Sequence, residues 1–392
     1  MNDTSQRLSV AMIGHGFMGA AHSQGWRVAP RFFDLPAQPS MDVIVGRNAE
    51  AVAGAAQKWG WRESATDWRT IIDRDDIDLI DIVTPGNTHA EIAIAALDAG
   101  KHVLCEKPLA NTVDEAIAMA DAAARAAKRG VFAMVGYTYR RVPAATFARD
   151  LVAAGRIGEI RQVRANYLQD WLVDAEAPLT WRMNRELAGS GSLGDIGAHA
   201  IDLAQFITGQ RLVSVSGILE TLVKERPLLA SSQGLSGTAG KERGPVTVDD
   251  VALFTGRFDS GVLGSFEATR FSTGRKNAFR IEVAGSLGAI SFDLEELNSL
   301  GFYDATAPAG EQGFTRILVT EPQHPYVGAW WPTGHMLGYE HGFSHQVRDL
   351  VEAIVAGVQP TPSFADGLQV QRVLDAVETS SGNGSAWTSI PT

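Results

Sequence analysis

A strand-like apolar run, Leu8 to Ile13, opens into the turn Gly14-x-Gly16-x-x-Gly19 and then into a helix-like stretch, AAHSQGWRVA. That order constrains the fold more than any other feature of the chain. In a βα unit the first glycine permits a tight turn, the second lets a phosphate approach the backbone, and the third lets helix and strand pack closely. The helix N-terminus then faces the phosphate charge. The alternation continues: MDVIVG precedes Ala49 to Trp59, DLIDIVTP precedes His89 to Ala99, KHVLCE precedes Thr112 to Lys128, and VFAMVGY closes the region near Tyr139. Strands alternating with helices imply a parallel sheet covered on both faces.

The expected class is therefore α/β, with an N-terminal Rossmann dinucleotide-binding domain over residues 1–140. A chain of 392 residues has room for a second domain, and past Tyr139 the pattern changes. RQVRANYLQ, VSVSGILETLV, DVALFTGRF, VLGSFEATR, FRIEVAG and AISFDL follow with little helix between them. These predict a C-terminal α/β domain over residues 141–392, built on a large open, mostly antiparallel sheet. Helices at Pro143 to Ala154, Asp195 to Thr208 and Glu340 to Ala356 are expected to cover one of its faces. Lys224 to Pro245, rich in Gly, Ser and charge, reads as a long mobile loop.

A net charge of −11 repels nucleic acid and anionic lipid, which leaves a small molecule as the expected partner. Cys105 is the only cysteine, so no internal disulfide and no Cys-rich zinc site can form. His341 and His345 have helical ligand spacing, but no HExxH motif surrounds them, and no metal is expected. No apolar run spans a bilayer and the opening MNDTSQRLSV is not a secretory signal, so a cytoplasmic address is expected.

The second strand ends in VGRN, where a carboxylate normally takes the ribose hydroxyls of NAD. Gly46 stands in its place. Arg47 offers a guanidinium for a 2′-phosphate or for adenine, which leans toward NADP. Asn48 suits a bare ribose, so NAD or NADP both stand, as does an Arg47 that is only solvated. At the end of another strand lie Glu106, Lys107 and Pro108, on the edge of a parallel sheet that faces ligand. An ammonium there stabilises alkoxide character as hydride leaves; the plain alternative is an exposed lysine in a turn. In SGSLGDIGAHAIDLAQFITG, Asp195 and His199 lie four apart and share a helix face. An imidazole with an ordinary pKa near about 6.5 suits proton removal from a hydroxyl. Asp195 also occupies a position suited to an N-cap, and Asp202 reads as structural.

The order GHGFMG, TPGNTH, CEKP, WR, GDIGAH resembles that of the glucose-fructose oxidoreductase, inositol dehydrogenase and MocA group across most of the chain. The resemblance implies Lys107, Asp195 and His199 as catalytic residues. It implies cofactor contacts from Gly14, Gly16, Phe17, Met18, Gly19, Arg47, Asn48, Thr84, Pro85, Asn87, His89, Glu106, Lys107, Trp181 and Arg182. It further implies a homo-oligomer, dimer or tetramer, formed through the second sheet. The opening GHGFMGAAHS, the PRFFDLP insertion and GHMLGYEH look most similar to the levoglucosan and glycoside 3-dehydrogenase branch, which oxidises a secondary ring hydroxyl to a ketone. Inositol dehydrogenation is the close alternative; a redox-assisted glycosidase and a non-catalytic dinucleotide sensor are the others. Side chains expected to hold a sugar or cyclitol ring, beside Lys107, Asp195 and His199, are Tyr139, Arg141, Gln169, Asp170, Trp171, His335 and His341. The aromatic, Gly- and Pro-broken stretch HPYVGAWWPTGHMLGYEH reads as a binding loop.

Overall fold

The computed structural model describes residues 6–233 and 236–391. The chain divides into two compact units, residues 1–138 with 339–368, and residues 139–338 with 369–392.

The first unit is a six-stranded sheet of β1 (Gln6–Ile13), β2 (Ala37–Val45), β3 (Glu63–Ala65), β4 (Leu79–Ile82), β5 (His102–Cys105) and β6 (Ala133–Val135). Between them run α1 (Phe17–Phe32), α2 (Ala49–Trp59), α3 (Trp68–Ile72), α4 (His89–Asp98) and α5 (Val113–Ala127). All strand pairs are parallel, in the order β3-β2-β1-β4-β5-β6. Strands covered by helices on both faces have no solvated side, which is why Val10, Met12, Ile80, Ile82, Val103 and Leu104 are all buried. The order reverses between β1 and β4, and the crevice outside the C-terminal ends of such strands is where doubly wound sheets take ligands. Helix α5 starts on a full capping box, Thr112 with Glu115.

The second unit holds α6 (Pro143–Ala153), β7 (Ile160–Leu168), α7 (Arg185–Ala188), α8 (Ala198–Thr208), β8 (Leu212–Glu220), β9 (Glu225–Gln233), β10 (Ser236–Pro245), β11 (Val251–Phe258) and β12 (Leu263–Thr269). It continues with β13 (Ala278–Gly285), β14 (Gly288–Asp293), β15 (Ser299–Asp304) and β16 (Phe314–Leu318), and, after α9 (His341–Ala356) and α10 (Phe364–Gly382), β17 (Thr388–Ser389). Nine of these strands form a sheet in the order β16-β15-β14-β13-β7-β12-β11-β8-β17. Only β7 and β12 run parallel; the other pairs are antiparallel. Alternation along β11 buries Ala252, Phe254 and Phe258 and turns Leu253 outward, and helices α6 and α8 pack on the sheet.

Three expectations are corrected. Lys224 to Pro245 is not one long loop: β9 and β10, on either side of residues 234–235, pair antiparallel as a two-stranded sheet. Arg226, fully buried, anchors it by donating to the carbonyls of Leu172 and Asp174 at 2.7 Å each, and Leu179 N–H donates to Pro227 O at 2.7 Å. Composition reads the pair as loop because these anchors come from about fifty residues earlier in the chain. Helix α9 does not cover the second sheet. It packs on α1, where Gly25 leaves room for the Phe343 carbonyl; a Cβ at Gly25 would lie 2.9 Å from it. Phe343, Val347, Leu350 and Val351 bury there, and the last three join Trp26 and Ala29 in one core. A single boundary near residue 140 is therefore replaced by a first unit that regains residues 339–368.

Candidate functional site

In the first unit β1 ends in the glycine turn. Gly14 has φ +114°, and a Cβ on it would lie 2.9 Å from both Cγ2 and O of Val83. A Cβ on Gly19 would lie 2.9 Å from Gly14 O, whereas one on Gly16 would meet nothing within 4 Å. Gly14 and Gly19 thus shape the corner, and Gly16 leaves space open in front of it. Helix α1 begins there with no side-chain cap, so its first N–H groups and its dipole are available to an anion. These residues fit a dinucleotide pyrophosphate. Phe17 is exposed beside the turn, and Met18 packs against the core.

At the end of β2 a Cβ on Gly46 would meet the His15 ring, so a larger residue there would require that side chain to move aside. Arg47 is exposed. Asn48 has a structural role as well: its Oδ1 caps α2, accepting from Ala51 N at 3.0 Å, and its NH2 is left to donate to a ribose.

After β5 the chain turns at Glu106 and Lys107 through a cis Lys107–Pro108 bond, with Lys107 half-buried. Glu106 is held from α1. The His22 ring lies 3.0 Å from Glu106 Oε1 through Nε2 and 2.9 Å from Asp81 Oδ2 through Nδ1, and Trp26 Nε1 donates to the same Asp81 oxygen at 2.7 Å. Burial works to lower the pKa of this imidazole, but Asp81 and then Glu106 outweigh it and push it up to about 10. The ring is an imidazolium donating to both carboxylates. Glu106 Oε2 in turn accepts from Lys107 N at 3.2 Å. Sequence reasoning missed His22; the signal was Asp81, a carboxylate inside an apolar strand and bound to need a buried partner.

Thr84 Oγ1 pairs with Thr88 Oγ1 at 2.6 Å, Pro85 is half-buried and Asn87 is exposed, all on the turn after β4. His89, expected to line the crevice, is instead buried. Its Nε2 donates to Thr84 O at 2.9 Å, and Nδ1 lies 3.1 Å from Pro108 O. Burial holds its pKa below the usual value. Its work is to tie the turn after β4 to the Lys107–Pro108 turn.

In the second unit a π-turn, Leu193–Gly197, leads into α8. From Gly191 to Ala200 every residue is buried except Asp195 and His199, one turn apart. Asp195 does not cap this helix. Asp249 does, accepting from Gly191 N at 2.7 Å, Ser192 Oγ at 2.7 Å and Leu193 N at 2.8 Å. A side chain at Gly191 would run into the Asp249 carbonyl. With the cap supplied from elsewhere, Asp195 is released from that duty.

The His199 ring packs on Tyr139, centroids 4.5 Å apart. From Tyr139 a chain of hydrogen bonds runs through Tyr167 OH at 2.8 Å to Asn277 Oδ1 at 2.8 Å, which also accepts from Gln169 Nε2 at 2.7 Å. Gln169 Oε1 accepts from Trp171 Nε1 at 2.9 Å. Burial, then the neighbouring Tyr167, raises the Tyr139 phenol well above its usual pKa, so it stays neutral. Arg182, half-buried, stacks 4.5 Å from the Trp181 ring. Arg270 lies with Nη1 3.6 Å from Asp195 Oδ2. Tyr167, Asn277 and Arg270 escaped the sequence reading, since each is a single polar residue at the end of an apolar strand or in a turn.

Other expected ring-holding residues fall outside this set. Asp170 is committed to Lys276 Nζ at 2.7 Å and Gly274 N at 3.1 Å, and Lys276 holds its pKa below the usual carboxylate range. Arg141 is buried, at 2% exposure. His335 is exposed with Nδ1 on Pro332 O at 2.8 Å, whereas His341 belongs to the first unit, 3.4 Å from Glu340. Asp202 is structural, paired with Arg140 at 2.6 Å. The stretch from His324 to Tyr339 is a loop with one 3-10 turn, Val327–Ala329, exposing Trp331, Met336 and Tyr339. Among the described residues no three His, Cys, Asp or Glu side chains gather as a metal site, and no helix is long and apolar enough to cross a membrane.

Residues 8–137 match the description "Oxidoreductase family, NAD-binding Rossmann fold", and residues 146–291 match "GFO/IDH/MocA C-terminal domain". The chain is 43% identical over 391 residues to levoglucosan dehydrogenase of Pseudarthrobacter phenanthrenivorans, covering 98% of this chain and 99% of that one. Among solved structures, an oxidoreductase domain protein from Kribbella flavida has a TM-score of 0.94 at 63% identity, covering 99% of this chain and all of the other. Levoglucosan dehydrogenase in complex with NADH and levoglucosan has a TM-score of 0.92 at 42% identity, with 99% and 100% covered.

Proposed function

The chain belongs to the GFO/IDH/MocA oxidoreductase family, and from that premise we propose that it oxidises a secondary ring hydroxyl of a neutral sugar to a ketone. The proposed reaction is of the levoglucosan or glycoside 3-dehydrogenase type. The observation that carries the reading is the pair Asp195 and His199, part-exposed on an otherwise buried turn and helix start beside Tyr139 and its hydrogen-bonded chain. The 43% identity to levoglucosan dehydrogenase supports the substrate class.

A bound nicotinamide would supply the hydride acceptor. His199 takes the proton of the substrate hydroxyl as general base, and Asp195 bonds the same oxygen or its neighbour and fixes the ring. Lys107 donates to the reacting oxygen and stabilises its developing negative charge. Gly16 and the first turn of α1 hold the pyrophosphate, with Thr84, Pro85, Asn87, Trp181 and Arg182 as further cofactor contacts. Gln169 and Trp171 present an amide and an indole face to the sugar. The homo-oligomer implied by the resemblance belongs to the same proposal, through the sheet face on which Ile218, Leu253 and Leu263 are exposed.

A panel of levoglucosan, simple glucosides, glucose and myo-inositol, run in parallel with NAD and with NADP, tests the reading. Reduction of the dinucleotide with levoglucosan or a glucoside is expected. Turnover on myo-inositol alone would assign the inositol reaction, aglycone release without net reduction would assign redox-assisted hydrolysis, and dinucleotide binding with no turnover on any polyol would leave a sensor. NAD is the expected acceptor, by likeness to an enzyme solved with NADH. For the exposed Arg47, alanine substitution is expected to weaken NADP more than NAD in a binding titration. Equal weakening of both would limit Arg47 to stacking on adenine.

A further inference from the structure

Arg270 follows the last residue of β12 and is fully buried. A guanidinium out of water needs partners for its donors, and this one is incompletely served. Nη2 donates to Asp249 O at 3.2 Å, while Nε and Nη1 are buried with no hydrogen-bond partner. Its charge is met by the Asp195 carboxylate, 3.6 Å from Nη1, and by the Trp171 ring, 5.5 Å from Cζ. Asp250, which accepts from Leu222 N and Val223 N, adds a more distant negative charge. The unserved donors are shut off from solvent, so they cannot reach a substrate. Asp195 can, being the partly exposed member of the pair.

We propose that Arg270 is the positioning residue of this site: its fixed guanidinium sets the place and the negative charge of the Asp195 carboxylate. The proposal rests on the role given to Asp195 above. It also accounts for the second connection of Asp249, which caps the turn bearing Asp195 through its side chain and pins Arg270 through its carbonyl. Besides Arg270, the charged and titratable groups near Asp195 include Arg182 on the 3-10 turn Trp181–Met183 and Tyr139, and His199 lies one turn along the same helix. Removing Arg270 takes a cation from beside Asp195 and the neighbouring His199, so both hold a proton more readily and activity is lost earlier as pH falls.

The test is the pH dependence of kcat/KM for Arg270→Met, Arg270→Lys and Asp195→Asn in the full chain. Retained NADH binding serves as the check that each is folded. In Arg270→Met the acid limb is expected to move up by about one pH unit or more, with kcat reduced. In Arg270→Lys the limb is expected to return to the parent position, with kcat still reduced because an ammonium lacks the planar fork. An acid limb unmoved in Arg270→Met overturns the proposal. If that variant does not fold, Arg270→Lys decides, and parent kcat together with a parent limb overturns it. Asp195→Asn separates the two readings. Parent turnover there removes the role of Asp195 itself, whereas an inactive Asp195→Asn beside an unmoved Arg270 limb removes only the positioning role.

Discussion

Lys107→Ala is expected to lower kcat by about 10²- to 10³-fold, the usual cost of losing a donor aimed at developing negative charge, while leaving NADH affinity close to that of the parent. Lys107 sits past the C-terminal end of β5, where a doubly wound sheet meets its ligand. Its backbone is fixed from two sides, by Glu106 Oε2 on its own N–H and by His89 on the carbonyl of Pro108. Truncation to alanine removes the ammonium and leaves both supports in place, so the loss falls on the chemical step. The cradle proposed for the dinucleotide is the glycine turn and the start of α1, which the substitution does not touch. Single-turnover rates and an NADH titration separate the two quantities. Near-parent turnover would remove Lys107 from the mechanism.

The second large effect is on stability. His22→Ala is expected to destabilise the first unit by about 3–5 kcal/mol, the range for breaking a buried ion pair from one side. His22, Asp81 and Glu106 are all buried, and removing the imidazolium strands two carboxylates in the interior. The same ring gives stability a pH dependence of definite sign. Its folded pKa, about 10, stands above the ordinary 6.5, so its contribution is complete below about pH 6.5 and is lost as pH rises through 10. Denaturant unfolding at a series of pH values from 6 to 10 should show the parent weakening across that window and His22→Ala lacking this component. A variant as stable as the parent, with the same slope, would mean that the His22 ring does not carry the charge that holds this network.

These two sites were unequally visible in the sequence. Lys107 stands in a short motif at a strand end, and a motif is local. The His22 network joins residues 59 and 84 positions apart, and no window of sequence contains it. The second unit divides in the same way. Asp195 and His199 were legible because four residues make one turn of helix, whereas Tyr167, Asn277 and Arg270 reach the same place from β7, a turn and the end of β12. Asp195 was also given a capping role that Asp249, 58 positions from Gly191, performs instead.

What the sequence by itself determined was everything with a short period: the alternation of strand and helix in the first unit, the glycine turn, and the strand-rich second unit. Buried parallel strands are continuous apolar runs and turns carry their own glycines, so both are written locally. Tertiary structure alone decided that β9 pairs with β10 and that α9 returns to pack on α1. It decided too that His89 and Asn48 spend polar atoms on the backbone, and that His15 fills the space over Gly46. Each of those outcomes depends on which distant group claims a buried surface or a hydrogen-bond donor, and that competition is settled only when the whole chain is packed.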